Sequence, residues 1–255
     1  MIARADGAGM YALEVAGLTG PAGRTVIRDV TLRVRRGGTH VVLGHMHAGK
    51  SILLRMILGL ERAQMGTVTI DGMAFDAARP NERALADIRK RVGVVFDSSA
   101  LVSRLTLLEN VELPLLEHTH VETRAARETA ATVLRQVGVD DDLERTPDVV
   151  SRLDRRRTAL ARALVLRPTL LLIDEPGHGL DADAAAELDD RLLALQRDYE
   201  CGALICSQEV RYAVRAPDSV SVLAGGTVID QGELADLRRS DHESVRRLVD
   251  RRGVA

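Results

Sequence analysis

Four short, almost wholly apolar runs punctuate the chain: His40–Leu43 (HVVL), Val92–Phe96 (VGVVF), Thr169–Ile173 (TLLLI) and Ala203–Cys206 (ALIC). Runs without polar alternation predict strands covered on both faces of a parallel sheet. Helical spacing of apolar positions recurs between them, over Lys50–Leu60, Val121–Val137, Arg155–Leu166 and Ala182–Tyr199. Strands alternating with helices predict an α/β domain. Residues 12–38 and 64–75 pattern instead as antiparallel strands with turns at GPAG, RRGG and DGM. Residues 219–232 predict a hairpin reversing at Gly225-Gly226. Residues 100–155 are mostly helical in pattern and charged, which predicts a helical insertion. There is no low-complexity tract and no internal repeat.

Composition narrows the class. The chain has 255 residues, a formal net charge of -2 and 45% hydrophobic residues, so wholesale disorder is excluded. Two cysteines, Cys201 and Cys206, exclude a disulfide scaffold or a Cys-rich zinc module and fit a reducing compartment. No apolar run approaches the roughly 20 residues of a membrane span. The first fifteen residues show no apolar signal region. A pI near 6.4 gives no electrostatic case for nucleic acid as a partner. Of 35 basic residues only Lys50 and Lys90 are lysines, the rest arginines, a bias that a GC-rich genome explains.

Two segments carry chemistry. Gly44–Ser51, GHMHAGKS, matches G-x-x-x-x-G-K-[ST] between a predicted strand and a predicted helix. Backbone N–H groups of Gly44, His45, Met46, His47, Ala48 and Gly49, and of the helix start at Lys50, Ser51 and Ile52, would face phosphate oxygens. Lys50 would neutralise the β- and γ-phosphates of ATP, and Ser51 would ligate Mg²⁺. His47 stands where a Gly is usual, and His tolerates positive φ. His45 and His47 form an H-x-H pair, for which lining the loop is favoured over a metal role. The second segment is LLLIDEP, residues 170–176, an apolar strand ending in Asp174-Glu175. Asp174 would join the Mg²⁺ shell and Glu175 would act as general base for water.

With these motifs the chain resembles the ATP-binding cassette (ABC) ATPases over nearly its whole length. GHGLDADA after Asp174-Glu175 is similar to the family's D-loop, with Leu180-Asp181 in matching places, and ALARALVLRP resembles the helix after its signature. Val94–Thr119 and the ending SVRRLVD resemble the cassettes of Mce/Mla-type lipid transporters. The resemblance implies a P-loop cassette with a mostly parallel core sheet and an N-terminal antiparallel β-subdomain. The cassette spans about 10–253, with a helical subdomain at about 98–156 and a flexible N-terminus at 1–9. It implies ATP and Mg²⁺ as cofactors, and a location at the inner face of the cell membrane. The implied partners are transmembrane permease subunits, a second cassette in a homo- or heterodimer, and Mce-domain proteins.

Several positions depart from the family. Asp97 replaces the Q-loop Gln, a Mg²⁺ ligand, and an Asp can still bind the metal. The signature Leu-Ser-Gly-Gly reads Val150-Ser151-Arg152-Leu153, which retains Ser151 and closes the approach to a nucleotide held by the partner unless Arg152 offers its charge instead. Asp181 would join Ser151 and Arg152 on that trans-acting surface. Gln208 replaces the switch His and cannot titrate. No adenine-stacking aromatic falls near Pro21 or Ala22. Such losses imply slow hydrolysis in a homodimer, and a working site only opposite an intact partner signature. The apolar stretch from Asp97 to Leu108 and on to Leu116 fits either a permease surface or the chain's own core, and the C-terminal helix either a dimer contact or a solvated tail.

Overall fold

The computed structural model of the chain describes residues 9–20, 27–141, 143–215 and 218–250. In chain order its elements are β1 (Tyr11–Thr19), β2 (Val30–Arg35), β3 (Thr39–Leu43), α1 (Lys50–Ile57), β4 (Met65–Ile70), β5 (Met73–Asp76), α2 (Glu82–Arg89) and β6 (Val92–Val95). Then come α3 (Leu107–His118), α4 (Thr123–Gln136), α5 (Arg152–Leu164), β7 (Leu170–Asp174), α6 (Ala182–Asp198) and β8 (Gly202–Ser207). The last are α7 (Arg211–Arg215), β9 (Ser219–Ala224), β10 (Thr227–Gly232), α8 (Leu234–Leu237) and α9 (Glu243–Val249). They form two compact units, one of the residues up to Arg89 and from Cys201 on, the other of Lys90–Glu200.

In the first unit, β2, β1, β4 and β5 lie in that order as an antiparallel sheet. Strand β2 alternates strictly, with Val30, Leu32 and Val34 buried and Thr31, Arg33 and Arg35 exposed, as a sheet with one wet face requires. Strand β3 runs parallel to β8 on one side and to β9 on the other, pairing Val41 with Ile205 and with Val220. Every residue of β3 and of β8 is buried, which is why these segments show no alternation in sequence. The β9–β10 hairpin reverses at Gly225 and Gly226 with φ of 57° and 81°, the left-handed geometry expected there. Inside this sheet His40 is 4% exposed and bridges β9, with Nδ1 2.6 Å from Ser219 Oγ and Nε2 2.9 Å from Ser221 Oγ. Helix α9 buries Val245, Leu248 and Val249 within its own unit, so the C-terminal apolar stripe serves the chain's own core.

In the second unit β6 and β7 pair in parallel, Val94 beside Leu172. Gly93 is obligatory there, since a Cβ would lie 2.3 Å from the Ala163 carbonyl oxygen of α5. Helix α3 starts with a capping box: Thr106 Oγ1 accepts from Glu109 N, and the Glu109 carboxylate accepts from Thr106 N. These bonds to the charged form hold the Glu109 carboxyl below its ordinary value. Buried Asn110 fixes the preceding loop, accepting from Val102 N and donating to the carbonyls of Val102, Leu105 and Thr106. Leu107, Leu108 and Val111 are buried, so most of the leucine-rich stretch goes into the chain's own core; Leu116, at 43%, stays exposed. Residues 97–106 form no helix. Among the described residues no helix is long and apolar enough to cross a membrane.

Burial lowers the His40 pKa from 6.5 to about 4. The folded state therefore binds fewer protons than the unfolded chain between those values, and stability rises with pH across that window. We expect unfolding free energy, measured in urea, to fall as pH drops from about 6.5 to about 4. The His40 part of that fall is at most about 3 kcal/mol, and a His40→Asn variant should lose it.

Candidate functional site

The phosphate-type loop leaves the buried end of β3 and enters α1. Gly44 N donates to Ser207 O at 3.1 Å, and Ala48 N to His45 O at 3.2 Å, so the loop turns back at once. A Cβ on Gly44 would sit 2.6 Å from the Leu223 carbonyl oxygen, so the chain passes where no side chain fits. His47 has φ 64° and Gly49 φ 109°, so the unusual His adopts the left-handed backbone that its position demands. His45, Met46, His47 and Ser51 are exposed, whereas Ala48, Gly49 and Lys50 are buried and Ile52 is half-buried. The Lys50 ammonium donates to Gly44 O at 2.8 Å and His45 O at 3.1 Å, folded across the loop's mouth. A concave backbone, a helix N-terminus and a lysine over the opening form a cradle for a phosphate chain.

The acidic strand end lies in the other unit. Asp174 is the last residue of β7 and only 4% exposed. Glu175 follows in the left-handed region at φ 45°, an uncommon conformation for a non-glycine residue that aims it differently from a continuing strand. The chain then turns, His178 N donating to Glu175 O and Leu180 N to Gly177 O, both at 3.1 Å. Asp181 caps α6, its carboxylate accepting from Ala184 N at 2.9 Å. Hydroxyl Ser51 and carboxylate Asp174 are hard oxygen donors of the kind Mg²⁺ takes in small number, with phosphates and water completing the shell. The cradle fits the phosphate chain of a nucleoside triphosphate, and each of these two oxygens, taken within its own unit, has the chemistry of a Mg²⁺ donor. Among the described residues no three His, Cys, Asp or Glu side chains gather as a metal cage.

The departures from family pattern have their own partners. Asp97 Oδ1 accepts from Arg156 Nη2 at 2.9 Å and from His178 Nδ1 at 2.8 Å. Partial burial alone would raise its pKa, but these two donors outweigh that and hold the carboxyl below its ordinary value. Ser151 is the N-cap of α5: its Oγ accepts from Asp154 N at 3.0 Å and donates to Asp154 Oδ2 at 2.6 Å. Arg152 Nη1 donates to Gly179 O of its own chain at 2.6 Å. Gln208 follows β8, half-buried. The adenine-side positions Pro21 and Ala22 lie outside the described residues. Sequence reasoning missed Arg156, Arg162 and His178. The Arg155-Arg156-Arg157 triplet was a visible signal for the first, but an arginine's partner so far along the chain leaves no periodic trace.

A twisted α/β core, a glycine-lysine phosphate loop after a buried strand and an acidic strand end define a P-loop nucleotide-binding cassette. Residues 27–178 match the ABC transporter family. The chain is 34% identical over 244 residues to the "Probable ribonucleotide transport ATP-binding protein mkl" of Mycobacterium leprae, covering 95% of this chain and 70% of that protein. It is 31% identical over 237 residues to "Methionine import ATP-binding protein MetN 1" of Pseudomonas savastanoi pv. phaseolicola, covering 92% and 69%. The dimeric structure of MJ0796, a bacterial ABC transporter cassette, is similar with a TM-score of 0.77 at 25% identity, over 87% of this chain and 98% of that one. The cbiO1 structure from Clostridium perfringens shares the fold, with a TM-score of 0.76 at 21% identity over 94% and 99%. The chain belongs to the ABC transporter family and is an ATP-binding cassette of it.

Gly44→Ala should displace the start of the loop from the Leu223 carbonyl. Overpacking of this kind typically costs about 1–3 kcal/mol. Urea unfolding checks that cost, and a fluorescent ATP analogue should bind at least about tenfold more weakly, the equivalent of about 1.4 kcal/mol.

Proposed function

We propose that this chain couples ATP binding and slow hydrolysis to a membrane permease that moves lipids, as in the Mce/Mla-type transporters it resembles. The observation that carries the ATPase part is the intact set of Lys50, Ser51, Asp174 and Glu175 on the cassette fold. Lys50 and the loop N–H groups bind and orient the β- and γ-phosphates. Ser51 and Asp174 would hold Mg²⁺, which when bound would supply positive charge to the phosphate oxygens. Glu175 takes the proton of the attacking water. Gln208 donates a hydrogen bond toward the γ-phosphate without a titrating charge. The lipid assignment rests on the likeness of Val94–Thr119 and Ser244–Asp250 to the Mce-associated cassettes. The names of the two relatives speak of ribonucleotide transport and methionine import, so the lipid assignment has its support in that segment likeness alone. Mce-domain proteins and a location at the inner face of the membrane belong to the same proposal.

One observation favours a second reading, in which the chain is an impaired cassette paired with an active partner. The signature position carries Arg152 and Leu153, and Arg152 is engaged with Gly179 of its own chain. A nucleotide bound by the partner would then meet side chains where two glycines normally admit backbone.

Phosphate release, measured on the chain alone and with its co-expressed cassette and permease, separates the readings. The first expects turnover that disappears in Glu175→Gln, while Lys50→Ala weakens ATP binding at least about tenfold, or about 1.4 kcal/mol. Loss of a transition-state phosphate contact typically costs about 10²–10³ in rate, so activity of the chain alone should lie that far below the assembled complex. No turnover above the Glu175→Gln control in either setting would sink the first reading and leave the impaired one standing. Lipid transfer between vesicles by the reconstituted complex, dependent on ATP, checks the substrate.

A further inference from the structure

We propose that α5 is an arginine clamp that makes the loop after β6 and the loop after β7 one mechanical piece, with Arg156 as its positioning residue and Asp97 as the anchor rather than a Mg²⁺ ligand. The proposal deepens the ATPase reading and rests on it only for the nucleotide-dependent half of its test.

Arg156 is 4% exposed, although it projects from the second turn of a helix that begins at Arg152. Its guanidinium donates to Phe96 O at 3.0 Å and to Asp97 Oδ1 at 2.9 Å, which lie after β6. It donates as well to His178 O at 3.1 Å, in the turn after β7. The Asp97 carboxylate only accepts, so His178 Nδ1, 2.8 Å away, must donate to it and close the ring of contacts from the other side. Two further arginines of α5 take the same two loops. Arg152 donates to Gly179 O at 2.6 Å. Arg162 donates to Ala100 O at 2.8 Å and to Ser99 O at 3.1 Å, and these are residues held at left-handed φ of 45° and 59°. Backbone in that region is strained and persists where its surroundings over-determine it. Three guanidiniums from one rigid helix supply that constraint.

The chemistry specifies arginine. One planar fork reaches three acceptors on two loops at fixed angles; a lysine ammonium is a point donor on a flexible stem and cannot span them. With two donors on the same oxygen, Asp97 is committed to the clamp. A nucleotide acting on Glu175 would move the turn that carries His178 and Gly179. The clamp would then carry the displacement to residues 96–100, which lead toward α3 and the exposed Leu116.

Hydrogen exchange read by mass spectrometry on the full chain tests this with Arg156→Lys and Asp97→Ala. The amides to follow are those of Ser99, His178 and Leu180, each hydrogen-bonded within its loop. Without nucleotide, both variants should exchange about tenfold faster in both loops together, while β7 and β3 keep their protection. Speeding in one loop alone, or in neither, overturns the clamp. With Mg²⁺ and ATP, the wild-type chain should gain protection in both loops, and Arg156→Lys in 175–181 but no longer in 96–100; a purely structural arginine would leave that coupling intact. Asp97→Ala should bind Mg²⁺-ATP within about twofold of wild type. A tenfold loss confined to Mg²⁺-containing buffer would make Asp97 a metal ligand and overturn its role as anchor. If wild type fails to bind ATP, the ATPase reading falls while the nucleotide-free comparison still decides the clamp. Should one variant fail to fold, the other decides it.

Discussion

A guanidinium keeps its charge at any pH a protein meets, so burying one forces the surrounding chain to supply acceptors. Arg156 imposes that demand at the centre of the second unit. Water reaches almost none of it, and Phe96, Asp97 and His178 provide what water would. Removing a partner from a fully buried pair typically costs about 3–5 kcal/mol. The Asp97 side chain is 45% exposed, which places this pair below that range. The two carbonyl acceptors share the load, so geometry as much as charge holds the contact. Residues 96–100 carry Asp97, one of the departures from family pattern, and residues 175–181 begin at Glu175, the proposed general base. Their backbone conformations depend on this one helix face.

This changes what the arginine bias means. Thirty-three arginines against two lysines read as codon usage in composition alone. On α5 the choice has a structural consequence, because Arg156 and Arg162 each use both terminal nitrogens on backbone carbonyls, and Arg152 adds a single such bond. Arg155 donates through one nitrogen, Nη1, to both Pro147 O and Val150 O. The opposite preference holds in the phosphate loop. There Lys50 fits beneath carbonyls 2.8 and 3.1 Å away and, in the proposed ATP complex, between phosphates, where a broad guanidinium is a poor substitute.

How much was legible in the sequence follows from the range of each interaction. Strands β3, β6, β7 and β8 showed because burial on both faces leaves a local signature, and the boundaries held to within one or two residues. The phosphate loop showed because its glycines, lysine and serine lie within eight consecutive positions. The leucine-rich stretch after Asp97 could not be assigned, since periodicity does not tell a partner's surface from the chain's own core; burial of Leu107, Leu108 and Val111 assigns most of it inward. Asp97 reads as a metal ligand in sequence because a carboxylate at that place has the right chemistry. Its actual donors come from residues 59 and 81 positions away, a distance over which sequence pattern carries no information.

The altered signature is best understood together with the turn after β7. Gly179 has φ 76°, and a Cβ there would lie 2.1 Å from Arg152 Nη1. A side chain at 179 would push the Arg152 guanidinium aside and strain the left-handed turn, whereas Gly179 leaves its carbonyl open to accept that guanidinium. Where the family pattern uses two signature glycines to admit another subunit's nucleotide, this chain has a side chain reaching inward to its own D-loop segment. Its charge is partly satisfied there, and an incoming phosphate must compete with a 2.6 Å hydrogen bond. An assembly that pairs this cassette with a different one would accordingly hold two unequal nucleotide sites, and the inequality would originate in one arginine–glycine contact.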